Sequence, residues 1–427
     1  MLRKRSGRRD FLRWGLSSGL ALGLGGSARR TTAALAPPPP PRAKNVIMIF
    51  LTGGPGTIDL WDLKPDAPDR VRGEFRPIET SAPGIRICEH LPRLAQQIHR
   101  VALVRSVTHT IAEHTQGQAY MMTGNRPGPT TDFPSLGALS SALLPVQRGT
   151  PRYVTLGSVP SSTAGELGAA YHPLEITLGG GSSGVTATES IGLPDGFSSA
   201  DLARRERLLA KVEERFAPFE SAPVAERLGQ FQRDALELLR SDKIRRALDL
   251  SLEPESIRER YGESRPARGA LVARRLIEAG ARFVTLGFGD WDTHDNHFTR
   301  LRNDLLPQLD QALAAILADL AERGMLDETL VYCTGEFGRT PNINENAGRD
   351  HWSKAMSVLL AGGGLRPGVI GATDEHAAEP IDKACSPDDV SATLFHQLGF
   401  EPQAKLTTPR GRESPMFRHG TVIRDLI

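Results

Sequence analysis

Two pairs of aspartate and histidine are the residues of this chain whose types and spacing could do chemistry. Asp292 and His294 are two residues apart, so in an extended segment both side chains lie on the same face. Asp350 and His351 offer the same functional groups further along the chain. A carboxylate with an imidazole suits Zn²⁺ or Mn²⁺ better than Ca²⁺, which prefers oxygen ligands alone. The pairs therefore predict a site for one or two divalent metal ions.

Three apolar segments, 45–51, 282–287 and 329–334, are predicted to be the strands that position the polar residues. Their apolar runs are continuous rather than alternating, which is typical of strands buried on both faces of a parallel sheet. Helical patterns, Ala267–Ala279 and the leucine-rich face of 305–320, precede the second and third segments. Helices that alternate with buried strands predict an α/β fold with a doubly wound, mostly parallel central sheet.

Polar residues follow each of these three strands at once. Asp59 and Asp62 come after the first strand, the segment 290–297 comes after the second, and Glu336 and Arg339 come after the third. In open α/β sheets the ligand crevice lies beyond the carboxyl ends of the strands, so we expect these residues to converge there. A guanidinium suits phosphate or sulfate oxygens, so Arg339 is predicted to contact an anion or, alternatively, to pair with Glu336.

The amino-terminal segment predicts where the protein works. It reads Arg8-Arg9-Asp10-Phe11-Leu12-Arg13, followed by a short, glycine-rich apolar run. This order is typical of a twin-arginine signal, which the export machinery of that name uses to carry folded proteins across a membrane. The apolar run is shorter than the roughly 20 residues of a transmembrane helix. We therefore predict a signal peptide over 1–36, a proline-rich spacer over 37–44, and a mature protein in the periplasm or outside the cell.

Charge and cysteine content exclude several function classes. Residues 1–36 hold eight Lys or Arg and one Asp, so the whole-chain charge of +2 becomes −5 for residues 37–427. A mildly acidic mature protein lacks the net positive charge that attracts nucleic acid. The three cysteines form no CxxC pair, which excludes zinc–thiolate and dithiol redox motifs. No transmembrane segment is expected in the mature chain, and the charged stretch 197–262 predicts a helical insertion.

Four sequence strings resemble those of the secreted domain-of-unknown-function family 1501. They are G-G-P-x-x-x-D-x-W-D-x-K-P from Gly53, W-D-T-H from Trp291, G-E-F-G-R-T-P from Gly335 and G-R-D-H-W from Gly348. The resemblance covers nearly the whole mature chain. That family in turn resembles the alkaline phosphatase and sulfatase superfamily. The resemblance implies an alkaline phosphatase-like domain over 45–427 that hydrolyses phosphate or sulfate esters with one or two bound metals.

The resemblance also implies roles for individual residues. Sulfatases place a Cys or Ser nucleophile nine residues before the threonine of a Leu-Thr-Gly string, and here that count from Thr123 reaches His114. His114 is then a metal ligand, a general base or a nucleophile, and Thr115 is a displaced candidate nucleophile. Together with Arg339 these are the catalytic candidates. The metal ligands implied by the resemblance and by strand position are Asp59, His114, Asp292, His294, Glu336, Asp350 and His351.

Two functions fit these residues. The first is an exported metal-dependent hydrolase of sulfate or phosphate esters, with an anionic ester or a sulfated glycan as its substrate. The second is a non-catalytic member of the same fold that binds an anionic glycan or a surface partner. The absence of Cys, Ser or Thr at the expected nucleophile position favours the second, whereas the number of metal-type residues favours the first. A peptidase is excluded because the chain has neither H-E-x-x-H nor G-x-S-x-G.

Overall fold

A computed structural model describes residues 40–145, 147–179, 241–408 and 411–427, together with 200–201, 203–205, 207–208, 211 and 236–238. These residues belong to one compact unit that spans 38–427. The predicted signal peptide, the start of the spacer and half of the predicted helical insertion lie outside the described residues. The spacer's last residues already belong to the fold, because Ala43 is buried and its N–H donates to the carbonyl of Gln397 at 2.9 Å.

The central sheet has eight strands. In chain order they are β1 (Asn45–Leu51), β2 (Val101–Val107), β3 (Tyr153–Leu156), β4 (Leu174–Ile176), β5 (Phe283–Phe288), β6 (Thr329–Thr334), β7 (Met356–Ala361) and β8 (Gly368–Ile370). Their order across the sheet is β8-β2-β7-β6-β1-β5-β3-β4. Only β7 runs antiparallel to its neighbours, β2 and β6, and the other strands share one direction. The prediction of a mostly parallel sheet is therefore confirmed.

The three predicted strands are interior strands β1, β5 and β6. Two have the predicted bounds, and β5 begins one residue later than predicted. In β1 the side chains alternate between two apolar clusters, Ile47 and Ile49 on one face and Met48 and Phe50 on the other. Both faces of the sheet are thus covered, which is why these strands read as continuous apolar runs. The fold is doubly wound, as predicted.

Helices lie on both faces. They are α1 (Thr57–Leu60), α2 (Asp69–Arg72), α3 (Pro92–Ala95), α4 (His114–Thr123), α5 (Leu136–Leu143), α6 (Asp242–Leu248), α7 (Glu255–Tyr261), α8 (Arg265–Glu278), α9 (His297–Arg300), α10 (Leu306–Glu322) and α11 (Pro387–Gln397). Leucines of α8 and α10 fill the core on one face, and residues of α4, α5 and α11 fill the core on the other. In the part of the chain described here, no helix is long and apolar enough to cross a membrane.

Four two-stranded ribbons accompany the sheet in the described part of the chain. They pair Pro77–Glu79 with Arg86–Cys88, Gly338–Arg339 with His351–Trp352, Ala372–Thr373 with Pro380–Asp382, and Lys405–Thr407 with Glu413–Pro415. The second ribbon matters for the site, because it aligns His351 with Arg339 directly after β6. The carboxyl end of β6 and the segment around His351 are thereby held together.

Candidate metal centre

The candidate centre lies beyond the carboxyl ends of neighbouring strands. The loop after β5 carries Asp292 and His294, and Glu336 stands two residues beyond the end of β6. His114 is the first residue of α4, which follows β2, and His351 comes from the ribbon beside β6. Segments that are far apart in sequence thus converge at one edge of the sheet, as the strand positions predict.

Each of the three histidines has its Nδ1 atom held by an oxygen acceptor. His294 Nδ1 lies 2.7 Å from Asp350 Oδ1, and His114 Nδ1 lies 2.7 Å from Glu336 Oε1. His351 Nδ1 donates to the carbonyl oxygen of Ala112 at 2.9 Å. Carboxylate and carbonyl oxygens accept hydrogen bonds, so each Nδ1 carries the proton and each neutral ring keeps its lone pair on Nε2. Such outer partners are what orient histidine ligands of metals.

The three Nε2 atoms are directed at one small region beside Asp292. His294 Nε2 lies 3.0 Å from His351 Nε2 and 3.0 Å from Asp292 Oδ1. His351 Nε2 lies 3.2 Å from Asp292 Oδ1, and His114 Nε2 lies 3.3 Å from Asp292 Oδ2. In a tetrahedral site with zinc–nitrogen bonds of about 2.0–2.1 Å, neighbouring ligand atoms are about 3.3 Å apart. These four separations are close to that value. His114, Asp292 and His351 form a possible ligand cluster, in which one ligand atom from each residue lies within 4.8 Å of the others. His294 lies against two members of this cluster.

The ionisation states also suit a cation. Burial opposes the charge of Asp292, but hydrogen bonding and attraction from Arg339 outweigh it and lower the pKa of this carboxyl to about 2. The hydrogen bond from His294 lowers the pKa of Asp350. Burial lowers the pKa of His351, so its ring is neutral at neutral pH and its lone pair remains available. A metal requires deprotonated carboxylates and neutral imidazoles, and Asp292 and His351 meet that requirement.

Glu336 is fully buried and has one unpaired oxygen. Its Oε1 atom accepts hydrogen bonds from the Gly53 N–H at 2.9 Å, from Gln118 Nε2 at 3.1 Å and from His114. Its Oε2 atom has no hydrogen-bond partner among the described residues. A buried carboxylate oxygen without a partner is costly, so it marks a place where a cation or a proton donor fits. In this structure Glu336 orients His114, and its second oxygen remains for a ligand.

The interpretation of Arg339 as an anion contact is not supported. Its side chain is buried, and it donates to the carbonyl oxygens of Gly54, Arg349 and Trp291 at 2.7, 3.1 and 3.3 Å and to that of Gly53. Its remaining partner is Asp292 Oδ1 at 2.5 Å rather than the predicted Glu336. With its donors used in this way, Arg339 fixes the loops that follow β1 and β5 and holds the Asp292 carboxylate in place.

Asp59 does not join the other predicted ligands. Its Oδ1 accepts a hydrogen bond from Arg349 at 2.9 Å, and its Oδ2 lies 2.9 Å from His297 Nε2. Both oxygens of this buried carboxylate are therefore occupied by neighbouring side chains, so we remove it from the ligand set. The sequence signal was only that Asp59 is the nearest acid after β1, and a one-turn helix (α1) directs it inward instead. Asp62 likewise pairs elsewhere, with Lys64 at 3.2 Å.

Thr115 is also separate from the ligand cluster. It is exposed at the second position of α4, where its N–H donates to Glu113 Oε1 at 2.9 Å. This contact belongs to the cap that Glu113 forms at the amino terminus of the helix. Within the described residues, no Ser, Thr or Cys side chain hydrogen-bonds to His114, Asp292, His294 or His351. The structure therefore gives no support to Thr115 as a nucleophile.

Sequence analysis missed several residues that hold the centre together. Asn344 donates to Asp350 Oδ1 at 3.2 Å and to the carbonyl of His294 at 2.9 Å. His109 Nε2 donates to the carbonyl of Glu336 at 3.0 Å, and burial lowers the pKa of this ring to about 4. The positions of Asn344 and His109 in the sequence do not indicate these contacts. Arg349 lies within the G-R-D-H-W string, and His297 lies three residues after the W-D-T-H string. Their closeness in sequence to the predicted ligands could have identified them.

Comparisons with known proteins were made for the whole chain. A family model described as "Protein of unknown function (DUF1501)" matches residues 43–427, and no curated protein matches the sequence. The PsFucS1 sulfatase from Pseudoalteromonas sp. is similar with 13% identity and a TM-score of 0.38, over 84% of this chain and 68% of that chain. A protein in the alkaline phosphatase superfamily from Vibrio parahaemolyticus is similar with 12% identity and a TM-score of 0.37, over 84% and 67% of the two chains. A TAB5 alkaline phosphatase mutant with Mg bound has 12% identity and a TM-score of 0.36, over 75% of this chain and 92% of that chain.

Proposed function

The chain belongs to the family described as "Protein of unknown function (DUF1501)", and we propose that it is an exported, metal-dependent hydrolase of sulfate or phosphate esters. One observation carries the proposal. Three imidazoles, each with Nδ1 held by an oxygen, direct their Nε2 atoms at Asp292, with separations of 3.0–3.3 Å. Among protein ligand sets, three histidines and a carboxylate suit a divalent ion such as Zn²⁺ or Mn²⁺.

The charge around the centre favours one ion rather than two. The carboxylates of Asp292, Asp350 and Glu336 and the guanidinium of Arg339 lie together, which leaves two negative charges when the histidines are neutral. One divalent cation neutralises this charge and removes the repulsion among the carboxylates. We assign the ligand positions to His114, Asp292, His294 and His351. Asp350 and Glu336 accept the hydrogen bonds from the Nδ1 atoms of His294 and His114, respectively.

A divalent cation bound there supplies Lewis acidity, polarising an ester oxygen and lowering the pKa of a water molecule to about 7. The protein's own residues supply orientation. Asp350 and the Ala112 carbonyl fix two of the rings, and Arg339 fixes the Asp292 carboxylate. Glu336 holds His114, and its unpaired Oε2 is the side-chain oxygen available to take a proton near that ring. Because no hydroxyl or thiol side chain of the described residues contacts the ligands, we assign the attack to water.

The substrate class follows from the same charge balance. With its charge neutralised by the cation, the centre no longer repels an anionic ester, and an exposed position of Asp292 and His294 gives a substrate access. We therefore propose a sulfate or phosphate ester, including a sulfated glycan, as the substrate. The alternative is a metal-bearing but non-catalytic binding protein. It is favoured by the lack of a Cys, Ser or Thr nucleophile next to the ligands.

Turnover of simple esters by purified, exported protein tests the proposal. p-Nitrophenyl sulfate, p-nitrophenyl phosphate and bis-p-nitrophenyl phosphate are the probes, each with protein that was stripped by a chelator and then reloaded with Zn²⁺ or Mn²⁺. We expect turnover of at least one probe that is lost on stripping and restored by the metal. Metal binding without turnover of any probe, including a sulfated oligosaccharide, would instead establish the binding-protein alternative.

A further inference from the structure

A buried polar network lies directly behind the candidate metal centre. It consists of Asp59, Thr293, His297 and Arg349, whose side chains are all at most 1% exposed. Arg349 meets the Asp59 carboxylate with two nitrogens, at 2.9 and 2.7 Å. His297 Nε2 lies 2.9 Å from Asp59 Oδ2, and Thr293 Oγ1 lies 2.6 Å from His297 Nδ1.

The directions of the hydrogen bonds follow from the chemistry of the groups. Burial lowers the pKa of His297, so its ring is neutral. The Thr293 hydroxyl then donates to Nδ1, and the Nε2–H of His297 donates to Asp59. Burial opposes the charge of Asp59, but Arg349 and His297 outweigh it and hold the pKa of this carboxyl below its ordinary value. The network is therefore a carboxylate with one buried cation and one neutral donor.

Two members of the network stand directly beside the Asp–His pairs in the chain. Thr293 lies between Asp292 and His294, and Arg349 directly precedes Asp350 and His351. Asp59 itself lies in α1, which follows β1. The network thus joins the segment after β1 to both of the segments that carry the two Asp–His pairs. The two pairs are also joined directly, because the Arg349 N–H donates to the Thr293 carbonyl at 3.2 Å.

The segments that the network joins are irregular and closely packed. Asp290, Asn296 and Ala347 have positive φ angles of 72°, 47° and 53°, which residues other than glycine rarely adopt. A Cβ atom on Gly348 would lie 1.8 Å from the carbonyl oxygen of His294, so the two loops touch through their backbones there. Backbone hydrogen bonds join the two loops, because the N–H groups of Asn296 and His297 donate to the carbonyl oxygens of Asn346 and Ala347, each at 3.0 Å. The buried side-chain network adds the contacts that tie both loops to α1.

Net stability does not account for such a network. Desolvation largely cancels the attraction within a buried ion pair, and apolar side chains of similar volume often stabilise a core as well or better. A buried pair does impose a fixed geometry, because both charges lose their partner if either one moves. We propose that Asp59, through Arg349 and His297, is a positioning residue that acts together with these backbone bonds to fix the relative position of the two Asp–His pairs. It thereby sets the affinity and the coordination geometry of the metal centre. This inference rests on the proposed function.

The test compares Asp59→Asn with a matched variant in a second buried network. Asp319 is also 1% exposed, and it pairs with the buried Arg274 at 2.9 Å and with the Tyr261 hydroxyl at 3.1 Å. Asp319→Asn therefore removes a similar buried charge from α10, where the partners of Asp319 lie in α8 and α7. Both purified variants are loaded with Co²⁺, and the dissociation constant is measured by chelator competition together with the visible spectrum of the bound ion.

We expect Asp59→Asn to weaken Co²⁺ binding by about 10–100-fold, the range typical of lost outer-shell partners, and to change the visible bands. Asp319→Asn is expected to leave both unchanged even where it lowers the melting temperature. An equal loss in the two variants, or an unchanged constant and spectrum in Asp59→Asn, would overturn the positioning role. A parent protein that binds no divalent ion would overturn the proposed function itself, and this inference with it.

A milder pair of variants keeps the test decisive if Asp59→Asn does not fold. Thr293→Val removes the hydroxyl that donates to His297 but keeps the side-chain volume, and Thr293→Ser restores the hydroxyl. The valine variant is expected to weaken Co²⁺ binding and to change its spectrum, and the serine variant to recover both. Equal constants and spectra in the valine and serine variants would show that the network does not control the centre.

Discussion

The Nε2 atoms of His294 and His351 lie 3.0 Å apart, although the two residues are 57 positions apart in the chain. Each ring has its Nδ1 proton committed to an oxygen, Asp350 Oδ1 for one and the Ala112 carbonyl for the other. When both rings are neutral, two lone pairs face each other, and this arrangement is favourable with a cation between them and Asp292. The interpretation of this region as a metal centre rests on this pair of nitrogen atoms rather than on any single ligand.

The carboxylate behind His294 provides the first prediction. Asp350→Asn removes the charge that orients the ring and raises its basicity, while His294 itself remains in place. We expect metal affinity to fall by about 10–100-fold and the melting temperature of the metal-free protein to change little, because Asp350 is exposed. Chelator competition and thermal unfolding measure the two quantities. An unchanged affinity would contradict the role assigned to Asp350.

Replacement of His114 distinguishes a metal ligand from a nucleophile. His114→Ala removes one of the Nε2 atoms directed at Asp292, so we expect bound metal and any esterase activity to fall together. A nucleophile would leave the metal bound and abolish turnover alone. His99→Ala is the control, because His99 is exposed and bonds to Ser81 instead. Metal content by elemental analysis, measured beside the turnover rate, distinguishes the two outcomes.

The three cysteines are predicted to be unreactive in the folded protein. All are buried and unpaired, and burial raises the pKa of Cys88 and Cys385 to about 12 and also raises that of Cys333. The thiolate is the reactive form, so almost none is present at pH 8. We expect a thiol reagent to label none of the three in the native state and all three after denaturation. Rapid labelling of the native protein would contradict the packing around them.

Export is predicted to depend on the arginine pair near the amino terminus. Replacing Arg8 and Arg9 by lysine keeps the charge but removes both guanidinium groups that a twin-arginine signal requires. We expect the variant to remain in the cytoplasm while folding as the parent does. Fractionation of cells that express the two forms measures this. Normal export of the double variant would refute the localisation and the idea that the protein crosses the membrane already folded.

Much of the fold could be predicted because apolar continuity encodes a strand that is covered on both faces. Asn45–Leu51 and Thr329–Thr334 have the predicted bounds for this reason. The antiparallel direction of β7 could not be predicted. The direction of a strand depends on the path of the segment that connects it to the preceding strand, and it does not change the pattern of apolar residues. The Asp–His pairs were correctly predicted to converge because strand ends place them there.

The roles within the site were harder to predict than their location. The sequence does not distinguish an aspartate that faces a metal from one that faces a buried arginine. Asp59 faces Arg349. Arg339 was predicted to face an anion or Glu336, yet backbone carbonyl groups use most of its donors. Sequence spacing does not show which carbonyl groups are unsatisfied in loops, and these decide where a buried guanidinium points.

X-ray absorption at the metal edge of the purified protein tests the central claim most directly. We predict one divalent ion per chain, with three imidazole nitrogens from His114, His294 and His351 and one carboxylate oxygen from Asp292. The bonds are expected at about 2.0–2.2 Å. Loss of one imidazole in His351→Ala would identify that ring. A protein without a bound ion, or an ion surrounded by oxygen ligands alone, would contradict the account.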